Sequence, residues 1–258
     1  RTEAWDTLLV YTKYYANTRN HDFKSQLELL DIYIWMDEEK KWQKICQELI
    51  SKRKMNANSM KGVIQRLVNN GKYNYAQDIL LEYRQDTGLT DFYSLEMGTL
   101  FGMRMAFNKA IREYLLFLET HPQQLQTISD RIMVYPNSPG IITEITTILM
   151  ESPLKTAQFI LADLHFKNKE YNDGYETLRA NEAPSSMLLD YARDLISVKE
   201  YMKAEQVLTD IISTEINEQM VTQAVFEIAK IFESKMINTI MDLPISGFYP
   251  YNSFFSSP

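Results

Sequence analysis

The sequence predicts an all-α protein, arranged as an α-solenoid (a superhelix) of antiparallel helix pairs. Glycine and proline number only eight each in 258 residues, whereas β-sandwiches and barrels need many turns that are rich in these two residues. Apolar residues recur at helical spacing along much of the chain. One local pattern of aromatic and small residues also appears in four segments, at intervals near the length of one helix pair.

The repeated pattern places an aromatic residue nine positions, and a small residue twelve positions, after a residue in the first helix of each pair. The four sets are Ile64, Tyr73 and Ala76; Gly98, Phe107 and Ala110; Ala162, Tyr171 and Gly174; and Ala192, Tyr201 and Ala204. Antiparallel helices approach to about 8–10 Å only where the side chains at their crossing are small. We therefore expect Gly98 to meet Ala110, Ala162 to meet Gly174, and Ala192 to meet Ala204.

One turn after each small residue, a large residue fills the seam with the next pair; these residues are Leu80, Tyr114, Leu178 and Leu208. With these residues the chain resembles the tetratricopeptide repeat family, whose members pair two helices in 34 residues. The step from Tyr73 to Phe107 is 34 residues, and that from Tyr171 to Tyr201 is 30. The resemblance covers 57–120 and 155–215, about half of the chain.

The resemblance divides the chain into units of unequal regularity. They are a degenerate N-terminal part with one or more helix pairs (1–56), two clear repeats (57–124), a degenerate pair broken by prolines (125–153), two further repeats (154–215), and a C-terminal pair followed by the start of another unit (216–258). The chain starts at Arg1 rather than methionine, and we expect it to be a trimmed piece of a longer protein that continues beyond Pro258.

The outer units match the pattern less well. Near the N-terminus, Trp42, Ile45 and Leu49 take the places of the aromatic, the small residue and the leucine. Near the C-terminus, Ala229 and Phe232 are assigned to a last first helix.

Loop residues support the division into helices. Ser138-Pro139 and Ser152-Pro153 each place a hydroxyl before a proline at the expected first helical position. Ala183-Pro184-Ser185 precedes the helix that contains Ala192 in the same way. Asn70-Gly71 and Asp86–Gly88 predict turns after helices.

Charge and hydropathy narrow the class of partner. The formal net charge is −7, from 27 basic and 34 acidic residues, and a nucleic-acid partner is not expected because phosphate contacts require a basic surface. The longest basic cluster, Lys52-Arg53-Lys54, is interpreted as a solvated helix end. No apolar stretch reaches the length of a membrane-spanning helix.

Residues able to perform catalysis or bind a metal are scattered. The histidines, His21, His121 and His165, are far apart and form no HExxH pair. Cys46 is the only cysteine, and its place on an amphipathic helix predicts a buried structural thiol. We therefore expect neither catalysis nor a metal or other cofactor.

The resemblance implies that the first helices line the concave face of the superhelix and contact the partner. The candidate contact residues are Lys61, Gln65, Asn69, Glu96, Thr99, Met103, Asp163, Lys167, Asp190 and Arg193. Some members of the family hold a C-terminal carboxylate with lysines and asparagines on these helices. Gln65 and Glu96 depart from that pattern, so this ligand class is not expected here.

The sequence thus predicts a non-enzymatic scaffold or adaptor that holds a protein or peptide, within a larger assembly. The alternative is the helper or regulatory domain of a longer enzyme or regulator. The single thiol fits a reducing cytosol and a bacterial periplasm equally well. Between these compartments, the interpretation leans to the bacterial cell envelope or periplasm.

Overall fold

A computed structural model describes residues 7–14, 23–52 and 56–241. These residues form helices joined by short connections and contain no β-strand, which confirms the all-α prediction. None of the described helices is both long and apolar enough to cross a membrane. The predicted start of a further unit, at 248–258, lies outside the described residues, as do His21 and most of the basic cluster.

The chain divides into two compact units, Arg1–Met97 and Gly98–Pro258, with the boundary inside one helix. The N-terminal unit contains α1 (7–14), α2 (Phe23–Trp35), α3 (Glu39–Lys52), α4 (Ala57–Asn69), α5 (Tyr73–Thr87) and the start of α6 (Ser94–Met103). The C-terminal unit contains the rest of α6, then α7 (Phe107–Thr120), α8 (Leu125–Met133), α9 (Pro139–Glu151), α10 (Lys155–Lys167), α11 (Tyr171–Ala180), α12 (Ser185–Ser197), α13 (Tyr201–Thr214) and α14 (Glu218–Met241).

The predicted aromatic residues begin the second helices. Tyr73, Phe107, Tyr171 and Tyr201 are the first residues of α5, α7, α11 and α13. In each case a three-residue connection follows the first helix, and its middle residue has a left-handed backbone. These residues are Gly71, Met105, Lys169 and Lys199, with φ between 60° and 75°. The fixed length of this turn accounts for the constant spacing between the first helix and the aromatic.

The predicted position of the repeat pattern in α3 is wrong by three residues, because the same turn also occurs between α2 and α3. Asp37 adopts φ 57° in the connection between α2 and α3, so α3 begins at Glu39. Trp42 therefore lies three residues into the helix rather than at its start. The fully buried residue that follows it is Cys46, while Ile45 is only half-buried.

Two of the predicted helix crossings can be tested from the backbone at glycines. A Cβ atom built on Gly98 would lie 3.2 Å from the carbonyl oxygen of Ala110. A Cβ atom on Gly174 would lie 3.1 Å from the carbonyl oxygen of Ala162 and would overlap the hydroxyl of Tyr191. The helices at these crossings are thus as close as predicted, because a side chain larger than hydrogen would not fit.

The predictions for the helix ends are confirmed in part. Pro139 begins α9 as predicted, although the Ser138 side chain forms no capping hydrogen bond. The Ser152-Pro153 prediction is wrong, because α10 begins two residues later, after Leu154. Gly88 ends α5 in the left-handed conformation, as expected of a turn glycine.

At the C-terminal end, the last helix is long. Ala229 and Phe232 both lie in α14, but both are exposed, and Ala224 is the alanine buried against the preceding helices.

The close crossing at Gly174 predicts that replacing this glycine with alanine destabilises the protein, although the same change usually stabilises a helix. Gly→Ala inside a helix usually stabilises by up to about 1 kcal/mol. At Gly174 we expect Gly174→Ala to destabilise by about 1–3 kcal/mol, because the added methyl overpacks the contact with Ala162 and Tyr191. Gly140→Ala in α9 is the matched control, since a Cβ there meets nothing within 4 Å. Urea denaturation of both variants decides the matter, and equal stabilisation by the two changes would contradict the close crossing.

Candidate functional site

A groove in the C-terminal unit is lined mainly by three helices, α8, α10 and α12. Each of them is the first helix of a pair. The volume of the groove is about 420 Å³. Helix α8 packs on α10, and α12 packs on α14, but α10 and α12 do not pack closely on each other. The groove occupies the space between these two helices, which is open because their backbones are not closely packed.

Tyr191 of α12 joins the two sides at the base of the groove. Its ring meets the ring of Phe166 of α10 edge to face, with 5.4 Å between centroids. Its hydroxyl donates a hydrogen bond to the backbone carbonyl of Tyr171 at 2.7 Å. This buried hydroxyl lies where a side chain at position 174 would be, so the glycine that allows the close crossing also makes room for Tyr191.

Acidic side chains dominate the polar lining. Asp130, Asp163, Asp190 and Asp194 line the groove, with Lys167 as the one basic residue among the lining side chains. The Lys167 ammonium group donates a hydrogen bond to the backbone carbonyl of Tyr135 at 2.9 Å. Apolar side chains also line the groove, and they include Met133, Phe159, Phe166 and Met187.

Burial and mutual repulsion disfavour the ionised state of two of these carboxyl groups. Burial raises the pKa of Asp163 above its usual value, and the nearby Asp194 and Asp130 raise it further. The hydroxyl of Ser129, which donates a hydrogen bond to Asp163, opposes the rise. Burial also raises the pKa of Asp194, followed in size by the charge of Asp190. Raised carboxyl pKa values of this origin are typical of functional sites, although structural networks also produce them.

The structure brings three of the ten predicted contact residues into this groove: Asp163, Lys167 and Asp190. Arg193 lies beside it and forms ion pairs with Asp190 and with the buried Glu227, both at 3.0 Å. Thr99 and Met103 of α6 are not among the lining residues. Thr99 accepts a hydrogen bond from Arg131 at 2.7 Å, and Met103 is exposed.

The other four predicted residues belong to the N-terminal unit and form a polar network there. Lys61 and Glu96 are 3.8 Å apart. The amide of Gln65 donates to Asn69 at 2.8 Å and accepts a hydrogen bond from the hydroxyl of Tyr93 at 2.6 Å. These partners hold the side chains of Gln65 and Asn69 in place along α4.

Ser129, Asp130 and Asp194 line the groove but were not predicted from the sequence. Asp194 follows Asp190 by four residues, the spacing that places two side chains on one face of a helix. Ser129 precedes Asp163 by 34 residues, which is one repeat length. Both spacings are visible in the sequence, but neither is part of the aromatic and small-residue pattern that defines the repeats, and the unit at 125–153, which contains Ser129, lacks that pattern.

A second cluster of polar groups lies outside the groove. His165, Glu170 and Asp173 place their potential metal-binding atoms within 4.8 Å of one another. The imidazole Nδ1 of His165 is 2.7 Å from the carboxylate of Glu170, so these two groups already pair with each other. Glu170 and Asp173 are exposed, and exposed acidic groups near a histidine are common without a metal.

The thiol of Cys46 is fully buried, as the sequence predicted. Burial raises its pKa to about 12, so the reactive thiolate is scarce at neutral pH.

Comparison of the chain with protein-family models gives no match, and comparison with curated proteins gives none either. The groove must therefore be interpreted from its own residues.

The half-buried carboxyl group of Asp163 predicts a pH-dependent effect on stability. Because folding raises its pKa, the ionised group weakens the fold at neutral pH, and this penalty disappears as the pH falls below the pKa of the unfolded chain. Asp163→Asn keeps an acceptor for Ser129, so it should stabilise by on the order of 1 kcal/mol near pH 7. The gain should shrink toward about pH 4, the ordinary carboxyl range.

Asp190→Asn serves as the control, since Asp190 is exposed and paired with Arg193; it should change stability by less than about 1 kcal/mol. Thermal melts across this pH range measure both variants. A gain for Asp163→Asn that does not depend on pH would show that the carboxyl group is not the cause.

Proposed function

We propose that this chain is a tetratricopeptide-like scaffold that holds an extended segment of another protein in the groove along α8, α10 and α12. The observation that carries the proposal is the groove itself, which three helices from successive pairs line with Asp163, Lys167 and Asp190 among their side chains. The proposed activity is binding, with no chemical step.

Contacts at repeat spacing support a solenoid arrangement within the C-terminal unit. Helices two places apart in the chain pack on each other: α8 on α10, α11 on α13, and α12 on α14. Side-chain links join equivalent positions of these helices, from Ser129 to Asp163, from Tyr175 to Asp210 and from Arg193 to Glu227, at separations of 34 or 35 residues. In a solenoid each unit contacts its neighbours through the same positions, which is the pattern expected here.

The dimensions of the groove favour a peptide segment. A volume of about 420 Å³ holds a few side chains, and the groove is open rather than enclosed by a lid. Concave surfaces of helical repeats bind extended chains through modest contacts on several units. The mixture of apolar side chains and carboxylates in the lining suits a segment that carries both apolar and polar side chains.

A side chain that fills the groove should abolish binding without disturbing the core. Ser186 lines the groove near the start of α12 and is exposed, so Ser186→Trp should block the site. Ser197→Trp, at the exposed end of the same helix and outside the groove, is the matched control.

The measurement is selection of a phage-displayed random peptide library on the wild-type protein, followed by titration of the selected peptides. We expect peptides that bind the wild type and the Ser197→Trp variant but lose about tenfold or more in affinity for Ser186→Trp, as for a hot spot at the centre of an interface. Selected peptides that bind all three proteins equally would place the binding site elsewhere.

A further inference from the structure

Resting on the proposed function, we infer that the groove recognises a basic segment, with an arginine or lysine side chain that inserts between Asp163 and Asp194 and apolar residues on either side of it. The partner is thus a protein segment in which basic and apolar residues alternate. An acidic tail or a nucleic acid would be repelled by the same carboxylates.

The charges in the groove are not balanced by the protein's own basic residues. Among the described residues, Asp190 is paired with Arg193, and Lys167 is directed to the carbonyl of Tyr135. For Asp163 the neighbouring groups are the hydroxyls of Ser129 and Tyr191 and two other carboxylates. For Asp194 the neighbouring charge is that of Asp190. The groove therefore presents an excess of negative charge at its centre.

Two carboxylates elsewhere in the chain, both more deeply buried than Asp163, show the contrast. Asp31 of α2, which is 4% exposed, receives hydrogen bonds from Arg66 and Asn70 of α4. Glu227 of α14, which is 6% exposed, receives them from Arg193 and Lys230. Buried acidic groups are ordinarily paired in this way, since removing an ion from water is costly. Among the residues that the structure describes, half-buried Asp163 receives its side-chain hydrogen bond from the Ser129 hydroxyl and has no basic partner. A cation from outside the chain would therefore complete its environment.

The apolar side chains of the groove can pack against the aliphatic part of an arginine or lysine side chain. Arginine and lysine pack their aliphatic stems on apolar surface while their charged ends reach polar groups. Phe159 and Phe166 line the groove beside Asp163, so their rings can also attract the cation. The net charge of −7 would speed the approach of a basic segment over long range.

The test uses three short synthetic peptides, labelled with fluorescein and equal in length, in which leucine alternates with arginine, with citrulline or with glutamate. Citrulline keeps the shape of arginine without its charge. By fluorescence anisotropy we expect the arginine peptide to bind about tenfold or more tightly than the citrulline peptide, in the range measured for close charge pairs. The glutamate peptide should bind least. Equal affinity for arginine and citrulline would overturn the inference.

Two double variants, each of which removes two negative charges, test whether the preference for arginine arises in the groove. Asp163→Asn combined with Asp194→Asn should remove most of the preference for arginine. Glu119→Gln combined with Glu144→Gln removes the same charge from exposed positions on α7 and α9, and it should leave the preference within about twofold, since distant surface charges are screened by salt. An equal loss in both double variants would show non-specific attraction and overturn the inference. If the groove double variant does not fold, Asp194→Asn alone, at an exposed position, provides the same comparison.

The Ser186→Trp variant separates the failure of this inference from failure of the proposed function. If the citrulline or glutamate peptide binds as well as the arginine peptide, and Ser186→Trp blocks it, the groove is a peptide site without the basic preference. If Ser186→Trp changes the binding of none of the three peptides, both the inference and the proposed function fail.

Discussion

The close approach of paired helices at small residues is the constraint on which the rest of the C-terminal unit depends. At Gly174 and Ala162 the backbones of α11 and α10 are so close that a methyl group would collide with a carbonyl oxygen. The same missing side chain leaves room for the hydroxyl of Tyr191, which connects α12 to the first residue of α11. The glycine therefore allows one contact between α11 and α12, while most of the packing of α12 is against α13.

A second constraint is the turn within each pair, where the chain reverses through one left-handed residue. Of the four left-handed residues, only Gly71 is of the type that favours this backbone conformation. The other three, Met105, Lys169 and Lys199, adopt the conformation against their preference. In each connection the amide of the following residue bonds back to the first helix, as Glu170 does to the carbonyl of His165 at 2.9 Å. These hydrogen bonds and the packing of the aromatic offset the cost of the backbone conformation.

The helices of the regular units could be predicted because their signal is local: a small residue, an aromatic and a fixed spacing between them. Prediction failed at α3 because its first residue is Glu39 rather than an aromatic, and the next aromatic, Trp42, lies three residues into the helix. It was incomplete at the groove for a different reason. The opening between α10 and α12 depends on how successive pairs pack, and its wall at Ser129 and Asp130 comes from the unit with the weakest repeat pattern.

The polar contacts between successive units show how Asp163 differs from the other linking residues and why the groove keeps an excess of negative charge. Pairs such as Arg193 with Glu227 and Tyr175 with Asp210 satisfy buried groups while they fasten one helix to another. Asp163 takes the corresponding place between α8 and α10, but its partner Ser129 is neutral, so the charge remains. A lysine or arginine at position 129 would neutralise Asp163 and strengthen the link between the helices. It would also place a cation in the groove and repel the basic segment that we propose as its ligand. On the proposal that the groove binds a basic segment, the serine would leave the charge available to that partner at the expense of stability, a compromise that is common where binding surfaces are part of a protein's packed structure.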